Sequence, residues 1–182
     1  RMGAAMNTLL TTGTGTSQPY GLTTCVTSSA LTTAGATAIT KAELLRVRHS
    51  VDKAYSQGPK VGWMMHYSVL RYLRGLDLGN SDRVQLFVPS LTAGEPDRLL
   101  GLPVFTNNDL PAVTGATGLP VTATKHIYFG DFDKYKIRRI GGISLGRNEQ
   151  LYWAERAVGF MGWLRFDGKI VNTNAIKYLL QS

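Results

Sequence analysis

Cysteine is nearly missing: Cys25 is the only one in 182 residues, so no intrachain disulfide can form and no thiolate metal site can be assembled. Long apolar runs are missing too. No stretch of about eighteen apolar residues occurs, and the first residues lack the basic region, apolar run and cleavage site of a signal peptide, so neither a membrane span nor a leader is supported. Histidine is scarce, and His49, His66 and His126 lie far apart with no metal-ligand spacing. Ser17, Ser28 and Ser29 lack the context of a nucleophile elbow. Asp131 and Asp133 are close enough to suggest paired carboxylates, but Gly130-Asp131 reads as a turn at a strand end. The expectation is a protein that is not an enzyme, with no catalytic, cofactor or metal site and no small-molecule substrate.

Charge is unevenly withheld. Between Met2 and Thr40 there is no charged residue, yet the chain carries a formal net charge of +8. Such a surplus invites a nucleic-acid reading, because Lys and Arg neutralise phosphates and release counterions. The basic residues are scattered among apolar ones with no run of five, which weakens that reading; an acidic segment outside this sequence would balance the charge equally well. With 43% hydrophobic residues the chain can bury roughly 70% of its unfolded surface and sits within the size of one domain.

Thr12 to Leu22 is rich in Gly, Thr and Ser and contains Pro19, so it cannot continue a helix and reads as a connector. It lacks the Lys-Ser or Lys-Thr of a phosphate loop. Before it, Met2, Met6, Leu9 and Leu10 have helical spacing; after it, Thr11 to Thr37 reads as loop with short strands. Thr40-Lys41-Ala42-Glu43 is a capping box opening a helix to Tyr55, with Leu44, Val47, Val51 and Ala54 on one face and Gly58-Pro59 as its stop. Val61 to Met65 reads as a buried strand. A second helix follows, with Val69, Leu70, Leu73 and Leu76 inward and Arg71, Tyr72 and Arg74 outward, ending at Gly75 or Gly79.

Val84 to Val88 and Leu99 to Phe105 read as strands, and 107–111 and 115–120 as loops. Ile127 and Phe129 share a strand face. Tyr135 and Ile137 point one way, while Lys134, Lys136 and Arg138 form a basic stripe on the other: a solvated face, a subunit interface or a nucleic-acid face. Val158, Phe160, Leu164 and Phe166 oppose Met161 and Trp163 across a long strand, so both faces call for more cover than the tail from Asn172 to Ser182 can supply, and the shortfall points to a missing segment or neighbouring subunits. Asp167-Gly168 reads as a two-residue hairpin turn, with Ile170-Val171 starting the return strand. A strand pair from about Glu155 to Val171 is the result.

Gly13-Thr14-Gly15 with Gln18-Pro19-x-Gly21-Leu22 resembles the glycine-rich segment after the spine helix of tailed-phage major capsid proteins with the Hong Kong 97-type fold. Trp63-Met64-Met65, Leu100-Gly101-Leu102-Pro103-Val104, Phe129-Gly130-Asp131-Phe132 and the region of Asp167-Gly168 follow in family order, spanning nearly the whole chain. The resemblance implies an α+β fold: an axial domain with a mixed sheet flanked by helices, plus part of the peripheral-domain strands. Residues 1–12 would end the spine helix, 13–145 form the axial domain, and 146–182 supply closing strands and tail. It implies a structural protein of the virion, assembled in the bacterial host cytoplasm into an icosahedral shell around double-stranded DNA. Its partners would be other copies of itself in rings and shell, with packaged DNA, portal and scaffold; no membrane is involved. Against the family pattern, the amino-terminal arm, extended loop and most of the spine helix are missing, so the sequence reads as a truncated or proteolysed product, monomeric or in small rings by itself. Asn172 and Asn174 do not align to a cross-link acceptor, so no covalent linkage is expected. An encapsulin-like compartment shell and a basic nucleic-acid-binding module are the alternatives.

Overall fold

Thr40 is extended, and its hydroxyl accepts from the Glu43 amide at 3.3 Å while the Glu43 carboxylate accepts from the Thr40 amide at 2.7 Å. The capping box therefore forms as the sequence predicts, and it starts α3 (Lys41–Ser50) in the computed structural model, which describes residues 2–33, 39–78, 87–90, 94–113 and 123–182. Removing one half of the box, Thr40→Ala, is expected to cost about 1 kcal/mol in denaturant unfolding. An unchanged midpoint would show that the cap contributes nothing. The expected single helix to Tyr55 is instead broken: Val51 is extended, and Asp52 caps a short α4 (Lys53–Ser56) by accepting from the Ala54 amide at 2.9 Å. An aspartate that can bond the amide two residues on competes with helix continuation there.

Ahead of these lie α1 (Met2–Thr12), α2 (Leu22–Cys25) and β1 (Ser29–Thr32). The turn of helix at α2 lies within the stretch expected to be loop and strand. After α4 come β2 (Val61–Met65) and α5 (Tyr67–Leu78), whose Val69, Leu70 and Leu73 are buried as expected. The side chain of Leu76, and Gly79, lie outside the described residues. Gly75 sits within α5 and does not end it. Tyr72 faces partly inward, its hydroxyl accepting from the Ile39 amide at 3.3 Å, so the outward expectation fails for that residue.

The remaining strands are β3 (Phe87–Val88), β4 (Arg98–Leu99), β5 (Leu102–Thr106), β6 (Lys125–Asp131), β7 (Tyr135–Asn148), β8 (Gly159–Ile170) and β9 (Ile176–Leu180). Of the strand expected over 84–88, residues 84–86 fall outside the described residues. The strand expected from Leu99 to Phe105 is a hairpin: Leu100 and Gly101 take φ of 51° and 82°, and β4 turns back on β5. Two successive positive φ values match a turn whose twist suits paired strands.

Among the described residues seven strands form one mixed sheet in the order β1-β9-β6-β2-β5-β4-β3, with β1–β9 and β2–β5 parallel. Its alternation divides the core. Val61, Trp63, Met65, Ile127 and Phe129 pack with α3 and α5 on one face. Tyr128 and Ile176 pack with Leu22, Cys25, Val26 and Ile170 on the other. Period-two side chains covered on both sides explain why β2 and β6 read as near-continuous apolar runs.

The second face holds one misfit. Tyr128 is fully buried, its hydroxyl has no hydrogen-bond partner among the described residues, and burial, then the neighbouring Tyr178, raises its pKa so that it stays protonated. Because an unpaired buried hydroxyl is a net cost, Tyr128→Phe is expected to leave stability unchanged or raise it by about 1 kcal/mol. A loss of that size in urea unfolding would show a bond the hydroxyl makes.

β7 and β8 form a separate antiparallel ribbon. Asp167 and Gly168 do not make the expected turn, because they lie inside β8 opposite Arg138 and Ile137. The ribbon turns instead between Asn148 and Gly159, and the strand pair spans 135–170, not 155–171. Gly168 is glycine for space: a Cβ there would lie 2.8 Å from Leu10 Cδ2 and closer still to the Tyr135 hydroxyl oxygen. The position between 145 and 146 falls inside β7, and residues 176–180 return to the large sheet between β1 and β6.

Candidate assembly surface

Residues directly opposite in an antiparallel pair share a face, so the register of the ribbon sorts its side chains. One face carries Tyr135, Ile137, Leu145, Phe160, Phe166 and Ile170. Helix α1 lies toward this face, since a Cβ on Gly162 would sit 3.4 Å from Met2 Sδ and one on Gly168 would meet Leu10. The opposite face begins with Lys136, Arg138, Lys169 and Arg165 near the large sheet and continues with Trp163 and Met161 toward the tip. Three intervening residues, Gly141 to Ile143, interrupt the register.

The junction of ribbon and sheet is polar and specific. The Tyr135 hydroxyl lies 2.7 Å from the Tyr20 carbonyl and 3.1 Å from that of Leu10, and burial pushes its pKa above the ordinary phenol range. The Tyr20 amide donates to the Gly168 carbonyl at 3.1 Å. One side chain thus fastens α1, the glycine-rich connector and the ribbon together.

Beyond the junction the ribbon is uncovered. Leu145 is 79% exposed, Phe160 77% and Met161 64%. The shortfall of cover expected for the two apolar faces of β8 is thus present among the described residues. A row of exposed large apolar side chains rimmed by charge is the mark of an interaction surface, and a two-stranded ribbon also presents unpaired backbone along both edges. At the tip, Arg147 pairs with Glu149 at 2.7 Å beside a shallow cavity of about 670 Å³ that Arg156 also lines.

The polar residues singled out in the sequence do not converge. Asp131 is buried and accepts from the Asp133 amide at 3.0 Å, capping the turn Phe132–Lys134. Asp133 lies between Lys136 and Lys60, whose bonds at 3.1 and 3.4 Å hold its carboxyl below the usual range. His49 is exposed; His66 Nδ1 accepts from the Ser68 amide at the start of α5; His126 is buried with Nδ1 3.2 Å from the Pro111 carbonyl. Asn172 Oδ1 accepts from the Asn174 amide, and Ser28 Oγ donates to Asn174 Oδ1. Among the described residues no three His, Cys, Asp or Glu cluster to hold a metal.

One motif was missed in reading the serines: Gly142-Ile143-Ser144-Leu145-Gly146 has the Gly-x-Ser-x-Gly spacing. It runs inside β7, where Ser144 pairs with Trp163 across the ribbon, instead of at the strand-to-helix turn that a nucleophile elbow requires. No histidine occurs between residues 135 and 170 to activate it. The ribbon itself was half visible, because the alternation from Tyr135 onward marks one long strand, but the turn signal at Asp167-Gly168 drew the partner strand to the wrong place.

A seven-stranded α+β sheet unit joined to a long ribbon, with a helix end laid toward one ribbon face, is the Hong Kong 97-like capsid fold. Residues 1–180 match the family model described as the phage capsid family, and the chain belongs to that family. No curated protein matches it. The chain is similar to the capsid of a native GTA particle, at 22% identity and a TM-score of 0.78 over 100% of this chain and 62% of that one. It is also similar to the Synechococcus elongatus PCC 7942 holo-SrpI encapsulin, at 16% identity and 0.65 over 99% and 61%. The structure of Gordonia phage Cozz matches at 16% identity and 0.60 over 100% and 60%. The chain thus spans less than two thirds of the length of these structures.

Proposed function

We propose that this chain is part of a major capsid subunit of a tailed phage or prophage, a structural protein that assembles into an icosahedral shell enclosing double-stranded DNA. The observation that carries the reading is the uncovered ribbon, whose exposed Leu145, Phe160 and Met161 call for burial by neighbouring copies. Membership of the phage capsid family supplies the setting. In this reading the seven-stranded unit is the axial domain, α1 is the end of the spine helix, and the ribbon belongs to the peripheral domain. Head-to-tail contacts that close would give rings, and further contacts the shell. The protein acts through these contacts and not as a catalyst, with packaged DNA, portal and scaffold as further partners, and it resides in the virion after assembly in the host cytoplasm.

An encapsulin-like compartment shell is the second reading, favoured by the similarity to the Synechococcus elongatus protein. Mass spectrometry of particles purified from cells carrying the gene separates the outcomes. Peptides of this sequence as the main constituent of DNA-filled particles are expected. Particles holding a cargo enzyme without a genome would favour the second reading, and particles lacking these peptides would overturn both.

A further inference from the structure

We infer that the basic end of the ribbon is a binding site for the phosphate backbone of nucleic acid. Residues 134–171 hold eight Lys or Arg against three Asp or Glu, a net +5 out of the chain's +8. The register gathers much of this on one face: Lys136 stands directly opposite Lys169, Arg138 opposite Asp167, and Arg165 in the next pair. Like charges directly opposed across a strand pair are unfavourable, so this arrangement stores a demand for a counter-anion.

Part of the demand is met within the chain. Lys136 bonds Asp133 at 3.1 Å, and Lys169 lies 5.6 Å from the centre of the Tyr20 ring. Arg138 and Arg165 are exposed and pair with no carboxylate among the described residues; Asp167, between them, turns its Oδ1 to the Gly168 amide at 2.8 Å. A shallow cavity of about 390 Å³ opens between Lys136, Arg138 and Lys169, floored by residues 167–171, Asp167 included. Trp163, 49% exposed, continues the same face as a stacking surface.

A polyanion from outside fits this site better than a second copy does. Most described carboxylates are already engaged: Asp97 with Arg74, Glu149 with Arg147, Asp133 with two lysines, and Glu43 and Asp52 at helix caps. Glu95 and Glu155, far apart in sequence, are the described carboxylates left without a bond. They cannot neutralise four clustered cations, whereas phosphodiesters present one charge after another. Identifying the polyanion as packaged DNA rests on the function proposed above; the site itself does not.

The test is fluorescence anisotropy of the full 182-residue chain with a short random-sequence DNA duplex. Four phosphate contacts predict a log–log salt slope of about −3.6, or an affinity loss on the order of 100-fold between about 50 and 200 mM salt. Arg138→Glu with Arg165→Glu is expected to weaken binding more than about tenfold and flatten the slope by about two, while Arg46→Glu with Lys53→Glu, the same charge change off the ribbon, changes it little. Arg138→Gln with Arg165→Gln guards against misfolding of the reversed pair and should give a smaller loss in the same direction. Equal losses from the ribbon and control pairs would overturn the site as mere net charge. So would absence of binding at low salt, and so would poly-glutamate competing as well as DNA, which would mark a surface for an acidic polypeptide. If particles contain this chain and the anisotropy test fails, only this inference falls. If particles lack it and the test succeeds, the capsid reading falls alone.

Discussion

Trp63→Ala is expected to cost about 3–5 kcal/mol, a large fraction of the roughly 5–15 kcal/mol by which an ordinary domain is stable. Trp63 has no exposed surface, and it stands in β2, with β5 on one side and β6 on the other. Its ring lies 4.4 Å from that of Phe129, tilted by 36°, and its Nε1–H donates to the Leu99 carbonyl at 3.1 Å. Truncation removes the largest fully buried side chain among the described residues, opens a cavity between the sheet and α5, and takes the indole donor from the Leu99 carbonyl at the β4–β5 turn. Trp63→Phe should fall between, because it keeps an aromatic ring against Phe129 while leaving the Leu99 carbonyl without its donor, a loss of about 1–2 kcal/mol beyond the packing change. Urea unfolding followed by circular dichroism reads both. An unfolding free energy for the alanine variant within about 1 kcal/mol of wild type would mean that the site collapses around the missing ring and that Trp63 is not central to the core.

What could be read in the sequence was what neighbouring residues decide among themselves. The Thr40–Glu43 box needs three residues' separation, the stripe of Val69, Leu70 and Leu73 needs one helical turn, and Val61 to Met65 needs only its own composition. Each formed. The errors came where a local signal met a distant partner. Asp167-Gly168 has the composition of a tight turn, yet Gly168 answers to Tyr135 and Leu10, 33 and 158 residues away in the chain, and a turn statistic cannot register either. Leu100-Gly101 is a true turn that was absorbed into a strand because its flanks are apolar on both sides. The shortage of cover for β8, by contrast, was legible in the apolar residues on both its faces, and α1 supplies part of that cover on one side only. For the candidate surface the basic alternation of Lys136 and Arg138 was visible, but its doubling by Arg165 and Lys169 needed the register.

Gly130→Ala is expected to be among the most damaging single-methyl changes in this chain, at about 3 kcal/mol or more. Gly130 takes a φ of +149°, a conformation that side-chain-bearing residues rarely adopt, and a Cβ there would lie 2.7 Å from Ile176 Cα and closer still to the Ala175 carbonyl oxygen. Both obstacles are backbone, so neither can be relieved by a rotamer change. Gly130 pairs with Ile176 where β6 meets β9, and β9 is the strand that carries β1. Making room must push β9 off β6, and the damage should therefore spread to the β1–β9 edge while β2 and β5 hold together. Hydrogen exchange gives this a spatial reading, with amides of Tyr178 and Leu179 losing protection before those of Met64 and Val104. The contrast is Gly75→Ala in α5, where a Cβ meets nothing within 4 Å. There the same methyl group should stabilise by about 0.5–1 kcal/mol, since glycine is a poor residue for a helix interior. Opposite signs for one chemical change at two glycines follow only if the Ile176 backbone stands where this structure puts it. A Gly130→Ala protein as stable as wild type, with β9 amides still protected, would show that the β6–β9 register is different.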